Sequence, residues 1–127
     1  MTRPSERELR DEIIRISALC YERHLLVALD GNLSVRLSED LILCTQAGCH
    51  KGMLSDQHLV VIDLEGRKVR GQGEPTSEMA MHLACYRERA DVEAVVHAPP
   101  PPSNAVTGGG GWVARGVRPA VGLSRGA

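Results

Sequence analysis

The sequence contains no phenylalanine, two tyrosines and one tryptophan, so any hydrophobic core must be built from aliphatic side chains. It also lacks an excess of positive charge, because 15 basic residues are balanced by 16 acidic ones. This balance argues against nucleic acid as a partner, since a phosphate backbone is bound by a basic surface. No apolar run reaches the roughly 18 residues of a membrane-spanning helix, which argues against a membrane partner.

The N-terminal residues, MTRPSERELRDEI, are charged rather than apolar, so they do not have the pattern of a secretory signal. Four cysteines are present, and without a sign of export we expect four reduced thiols. The length of 127 residues suits one ordinary domain and is too short for two. Together these properties predict a cytoplasmic globular domain.

Two helices are predicted from capping signals and apolar spacing. Ser5 and Glu8 fit the capping box, and apolar residues then recur at helical spacing, which predicts a first helix over residues 5–23. A second helix is predicted from Thr76 or Ser77 to about Glu88. Its expected buried stripe consists of Met79, Ala80, Leu83 and Ala84.

The remaining regular segments indicate strands. Apolar residues at positions 33, 35 and 37 alternate with polar residues at positions 32, 34 and 36, which predicts a half-buried strand. Residues 41–45 follow as its hairpin partner. Further strands are predicted at residues 59–64, 68–70 and 92–97. The order of helix, strands, helix and strand predicts an α/β fold in which helices cover a mainly antiparallel sheet.

The composition changes abruptly near the end of the chain. Of the 29 residues in the segment 99–127, seven are glycine and five are proline. Four consecutive prolines can neither donate to a β-ladder nor continue a helix. We therefore predict that residues 1–98 form the structured portion and that residues 99–127 are a disordered, non-homologous tail.

Several separate motifs follow one another in an order that resembles the class II aldolase/adducin family. They are residues 31–36 (GNLSVR), Thr45 with Gly48, Lys51-Gly52, residues 75–78 (PTSE), His82, Tyr86 and residues 91–97 (DVEAVVH). The resemblance covers about residues 6–98. It implies the N-terminal part of an α/β/α sandwich with a mainly antiparallel sheet.

What the resemblance implies for activity is a class II aldolase, an aldehyde-lyase. Such an enzyme cleaves a phosphorylated ketose, for example fuculose 1-phosphate, to dihydroxyacetone phosphate and an aldehyde. A divalent metal, most often Zn²⁺, polarises the substrate oxygens, and a carboxylate shuttles the proton. Glu78 matches the proton-shuttling carboxylate and His97 matches a metal ligand. Intact members of the family are expected to form homotetramers.

The residues that match the family's phosphate-binding loops are small and neutral. Glycine allows backbone amides to approach a phosphate closely, and hydroxyl groups at a helix N-terminus offer further donors. The resemblance therefore implies a phosphorylated sugar as the small-molecule partner. The implied phosphate contacts are Gly31, Asn32, Thr45, Gly48, Thr76 and Ser77.

The implied metal site is incomplete in this sequence. The family's His-x-His pair would place a second histidine at residue 99, where this chain has Pro99. Because a catalytic zinc site normally has three protein ligands, the implied aldolase is expected to be impaired. We hypothesise a shift of reading frame near Ala98. Sequencing the gene across codons 98–103 tests this, and an uninterrupted frame that keeps the prolines would contradict it.

Other candidate residues have simpler interpretations. His82 lies four residues after Glu78 on the same helix face and is interpreted as a packing residue. Lys51 is either part of a loop turn or a charge near the mouth of the site. Cys44 and Cys49 with the histidine that follows fit no common zinc spacing.

Three alternatives to an active aldolase remain open from the sequence. The first is a non-catalytic, adducin-like structural or interaction module, which a metal analysis would separate from an enzyme. The second is a sugar-phosphate epimerase or dehydratase of the same family. The third is a chain that does not fold stably, because missing elements would leave sheet edges and apolar faces uncovered. A cooperative thermal transition would exclude this third alternative.

Overall fold

The structure is a computed structural model that describes residues 3–27 and 29–98. The predicted order of elements is confirmed, and the ends differ by a few residues at most. The elements are α1 (Glu6–Glu22), β1 (Asn32–Arg36), β2 (Leu41–Thr45), a 3₁₀ turn (Asp56–His58), β3 (Leu59–Asp63), β4 (Lys68–Arg70), α2 (Met79–Glu88) and β5 (Ala94–His97). The predicted disordered tail lies outside the described residues.

The five strands form one sheet in the order β4-β3-β2-β1-β5. Every pair of neighbouring strands in the described chain is antiparallel, which agrees with the predicted sheet. Strand β5 comes last along the described chain, yet it pairs with β1 and places His97 directly opposite Asn32. This long-range pairing brings two sequence-distant site candidates to one end of the sheet.

Helix α1 begins where the sequence predicts. The Ser5 hydroxyl accepts a hydrogen bond from the Glu8 N–H at 3.2 Å, and the Glu8 carboxylate accepts one from the Ser5 N–H at 2.7 Å. This reciprocal capping box satisfies two backbone donors at the start of the helix. None of the helices in the described chain is both long and apolar enough to cross a membrane.

The two faces of the sheet carry separate hydrophobic clusters. The cluster beneath α1 consists of Ile13, Leu26, Leu33, Leu43, Leu59 and Val61. The cluster beneath α2 consists of Ile42, Cys44, Val60, Ile62, Met79, Leu83, Tyr86, Val92 and Val95. The sheet is therefore covered by one helix on each side, as in an α/β/α sandwich.

Strand β1 is not half-buried, so that part of the sequence-based prediction is wrong. Its polar residues Asn32, Ser34 and Arg36 are all buried on the α2 face. The Arg36 guanidinium donates to the carbonyl oxygens of Val92, at 3.1 Å, and Tyr86, at 3.0 Å. The polar side of this strand is thus occupied by hydrogen bonds to α2 and to the segment that follows it.

The predicted buried stripe of α2 also requires correction. Ala80 and Ala84 are exposed, whereas the buried residues of the helix are Met79, His82, Leu83 and Tyr86. The reason is that the facing strand β1 is polar here, so a histidine and a tyrosine that can form hydrogen bonds replace apolar side chains. The helix face is therefore partly polar while remaining buried.

An apolar groove stays open on the α1 side of the sheet. It has a volume of about 600 Å³ and runs between α1 and the paired strands β1 and β5. Leu9, Ile13, Leu33 and Val96 are among the residues that line it.

Candidate functional site

Glu78 and His97, the two residues predicted to carry the chemistry, lie side by side. The Oε2 atom of Glu78 is 3.7 Å from the Nδ1 atom of His97. The carboxylate is about half exposed, at 47%, and the imidazole is largely covered, at 18%. His97 Nδ1 is buried and has no hydrogen-bond partner among the described residues. The pair therefore combines a solvent-accessible carboxylate with a buried ring nitrogen, His97 Nδ1, that makes no hydrogen bond to the described residues.

The segment before α2 places Glu78 beside His97. The Thr76 N–H donates to the carbonyl oxygen of Thr45 at 3.1 Å, so this segment is fixed to the end of β2. The Thr76 hydroxyl accepts from the Glu78 N–H at 3.4 Å. Helix α2 then begins at Met79 with Glu78 as its N-cap, so the prediction of a Thr76 or Ser77 cap is wrong by one or two residues. The attachment to β2 explains the later start, because Thr76 is held outside the helix.

Two glycines with left-handed backbone conformation lie near this segment. Gly31 has a φ of 82° and precedes Asn32, while Gly48 has a φ of 73°. A side chain is strained in this conformation, and glycine is not. Apart from Gly48 itself and its two chain neighbours, no heavy atom of the described residues lies within 4 Å of the position that a Cβ of Gly48 would occupy, so its backbone borders open space. The Ala47 N–H donates to the Glu74 carbonyl oxygen at 2.9 Å, which places the Gly48 loop beside the segment that leads to α2.

Thr45 connects these elements from inside the protein. It is fully buried, and its hydroxyl accepts a hydrogen bond from the Leu33 N–H at 3.3 Å. Ser77, by contrast, is exposed at the surface of the site. The structure thus gives Thr45 a supporting position between β1, β2 and Thr76, and a direct phosphate contact by its side chain stays a prediction.

His82 is completely buried, and both of its ring nitrogens form hydrogen bonds, with Ser34 and Asn32. Burial, reinforced by the neighbouring His97, lowers the pKa of His82 to about 4, so the ring is neutral at pH 7. Neither nitrogen is available to a metal in this arrangement. His82 thus lies inside the protein between α2 and β1, which agrees with its interpretation from the sequence as an internal residue rather than a metal ligand.

None of the four cysteines, all of which lie in the described part of the chain, is in a disulfide. Burial raises the pKa of the Cys44 thiol to about 12, which keeps it protonated at neutral pH. The Cys49 thiol donates to the carbonyl oxygen of Gln46 at 2.9 Å, and its pKa is also raised by burial. Within the described residues, Cys44 and Cys49 belong to no group of three or more side chains that could hold a metal ion.

A complete metal site is absent from the part of the chain that the structure describes. No group of three or more histidine, cysteine, aspartate or glutamate residues that could hold a metal occurs within residues 3–27 and 29–98. His97 and Glu78 offer two donors, and catalytic zinc sites normally use three. The described residues therefore do not fit a closed metal site.

Lys51 is a residue whose position the sequence did not reveal. It is 2% exposed, and its ammonium group donates to the carbonyl oxygens of Leu29, at 3.2 Å, and Cys49, at 2.8 Å. Among the described residues, no carboxylate lies within ion-pair distance of it. Lys51 therefore joins the chain before Gly31 to the loop after Gly48, and it adds a buried positive charge between them.

Replacing Lys51 with methionine should lower the free energy of unfolding by about 2 kcal/mol, because two carbonyl groups, that of Cys49 buried and that of Leu29 partly buried, lose a charged donor. Replacing the more exposed Lys68 with methionine, as a control, should cost less than about 1 kcal/mol, since its ion pair with Glu74 is at the surface. Urea unfolding of both variants measures the difference. Equal effects would show that the buried contacts of Lys51 contribute no special stability.

A second feature that the sequence-based prediction missed is the polar contact between β1 and α2. Asn32 and Ser34 are two apart on a strand, and His82 and Tyr86 are four apart on a helix. Each pair lies on one face of its element, so the spacing could have suggested that the two pairs meet. Alternation along β1 predicts a solvent-facing polar side, and such a side would not meet a helix.

Comparison with known proteins adds the family context. The sequence profile of the class II aldolase and adducin N-terminal domain matches residues 11–113. The chain is 38% identical over 86 residues to an L-fuculose phosphate aldolase from Methanococcus vannielii, which covers 68% of this chain and 46% of that protein. It is 37% identical over 97 residues to a 3-oxo-tetronate 4-phosphate decarboxylase from Haemophilus influenzae, which covers 76% of this chain and 44% of that protein.

Another relative and a solved structure complete the comparison. A methylthioribulose-1-phosphate dehydratase from Sorangium cellulosum is 34% identical over 87 residues, covering 68% of this chain and 41% of that protein. A solved L-fuculose 1-phosphate aldolase superimposes with a TM-score of 0.68 at 32% identity, covering 75% of this chain and 45% of that one. The chain thus spans less than half the length of these relatives.

Proposed function

Because this chain belongs to the class II aldolase and adducin family, we propose that it binds a small phosphorylated sugar and transfers a proton on it through Glu78. The observation that carries the proposal is the 3.7 Å approach of Glu78 to His97 beside two glycine loops. A carboxylate that is about half exposed and makes no capping hydrogen bond to its own helix is suited to accept and return a proton.

The phosphate group is assigned to the loops around this pair. Gly31, Gly48 and Ser77 offer backbone or hydroxyl donors at the surface, and Asn32 and Thr76 stand just behind them. Thr45 supports Thr76 from inside. A phosphorylated substrate is also the feature shared by the names of the aldolase, decarboxylase and dehydratase relatives.

The reaction we assign is the cleavage of a phosphorylated ketose such as fuculose 1-phosphate. Glu78 takes the proton of the substrate hydroxyl next to the bond that breaks. The electron pair of that carbon–carbon bond then moves toward the ketone, which releases an aldehyde and leaves an enediolate. Return of the proton from Glu78 to carbon gives dihydroxyacetone phosphate.

Turnover by this chain is proposed to be slow. The family generally depends on a divalent metal, for which zinc is our proposal, and the described residues supply two candidate donors where three are usual. An intact relative would be a homotetramer in this account. The proposal for this chain is therefore binding of the sugar phosphate with impaired lyase activity.

The incomplete donor set favours a second candidate, a catalytically silent module that keeps the fold. Metal analysis of the purified chain distinguishes the two. Bound zinc near one equivalent would contradict a silent module, whereas the absence of zinc together with the absence of proton exchange would contradict an enzyme.

Calorimetric titration with dihydroxyacetone phosphate tests the binding proposal. The native chain should bind it, and replacing Ser77 with alanine should weaken binding by about 10- to 100-fold, since a hydrogen bond to a charged group is lost. Replacing Ser38 with alanine, in the turn between β1 and β2, should leave the affinity unchanged. Absence of binding to the native chain, or equal loss in both variants, would contradict the proposed site.

A further inference from the structure

Four buried side chains form a continuous line of hydrogen bonds between α2 and β1. Tyr86 and His82 come from the helix, and Ser34 and Asn32 come from the strand. All four are at most 4% exposed. The line begins at the Tyr86 hydroxyl inside the protein and ends at the Asn32 side chain, next to Gly31 and opposite His97.

The chemistry of the four groups sets the direction of these bonds. His82 Nε2 contacts Asn32 Oδ1, and an amide oxygen can only accept, so Nε2 carries the proton. A neutral imidazole has one N–H group, so His82 Nδ1 must accept from the Ser34 hydroxyl, which lies 2.6 Å away. The Ser34 oxygen in turn accepts from the Tyr86 hydroxyl at 2.8 Å. Each group thus has one defined role.

The amide nitrogen of Asn32 takes no part in the contact with His82. The Asn32 oxygen accepts from His82 Nε2, so the amide nitrogen lies on the other side of the amide group, away from the ring. That nitrogen carries two N–H donors and belongs to the residue that follows the left-handed Gly31. A donor in this position is complementary to an anion.

We propose that His82 is a positioning residue that fixes the orientation of the Asn32 amide, so that its NH₂ group faces the bound phosphate. This inference rests on the proposed function, because it names a residue that prepares the same site without touching the ligand. The opposite orientation would present the amide oxygen to the phosphate, and two acceptors would then repel each other. This arrangement requires a neutral His82, because a protonated ring would donate from both nitrogens and its Nδ1 could not accept the hydrogen bond from the Ser34 hydroxyl.

The first test uses the native chain and needs no variant. Nitrogen-15 NMR of the histidine ring at pH 7 should show His82 with the proton on Nε2. A proton on Nδ1 would reverse the direction of the line and overturn the inference, whatever the chain binds. This measurement also decides the question if variants at this buried position fail to fold.

The second test compares two variants by titration with dihydroxyacetone phosphate. Replacing His82 with leucine removes the donor and should weaken binding about tenfold or more, because the Asn32 amide is free to turn. Replacing His82 with glutamine retains an N–H donor and should restore most of that loss. Equal weakening in both folded variants would indicate a packing role only and overturn the inference. Failure of the native chain to bind would instead overturn the proposed function, while the ring tautomer would still be measured separately.

Discussion

Replacing Glu78 with glutamine should lower the rate at which the chain exchanges a carbon-bound proton of dihydroxyacetone phosphate with D₂O by about 10²- to 10⁴-fold. The exchange is the half-reaction that returns a proton to carbon in the proposed cleavage. Glutamine has nearly the same shape as glutamate and cannot accept the proton. The side chain of Glu78 forms no capping hydrogen bond with α2, so the substitution should leave the helix intact.

Proton NMR of dihydroxyacetone phosphate in D₂O measures this exchange for native and variant chains in the presence of excess Zn²⁺. Glu88, at the other end of α2 and exposed, supplies the matched control. Replacing Glu88 with glutamine should leave the rate unchanged. A Glu78 variant that exchanges as fast as the native chain would exclude Glu78 as the proton shuttle.

Acidification from pH 7 to pH 4 should remove about 3 kcal/mol of stability through His82 alone. Burial lowers the pKa of His82 from 6.5 to about 4 in the folded chain. Between these two values the unfolded chain binds a proton that the folded chain does not. Stability is therefore fully present above pH 6.5 and is lost as the pH falls toward 4.

Urea unfolding at several pH values between 7 and 4 checks this expectation. Carboxylates also titrate in this range, so the comparison is with the variant in which glutamine replaces His82. The native chain should lose about 3 kcal/mol more than the variant over the same interval. Identical pH profiles would show that burial of the neutral His82 ring does not control acid stability.

Local patterns in the sequence predicted most of the elements. The capping box of Ser5 and Glu8 located the start of α1, and alternation or apolar runs located the strands. These signals are local, since each depends on residues a few positions apart. They did not predict burial that depends on packing against a distant element, such as the burial of the polar side of β1 by α2. Alternation indicates that a strand has two different faces but not that a helix covers the polar one.

The site was predicted less completely because its parts are distant in sequence. The motifs pointed to Glu78 and His97, but their approach depends on β5 pairing with β1 and on Thr76 being attached to β2. The burial of Lys51 also depends on residues that are distant in sequence. A lysine in a loop is usually exposed, and only the folded arrangement of two loops reveals that this one is buried between carbonyl groups.

The most direct test that Glu78, His97 and the two glycine loops form one binding site is an NMR titration of the isotope-labelled chain with dihydroxyacetone phosphate. The account predicts saturable shifts of the backbone amides of Gly31, Gly48 and Ser77, together with the ring signals of His97, at one common affinity. Shifts confined to the apolar groove beneath α1, or shifts of the loop amides without any response from His97, would contradict it.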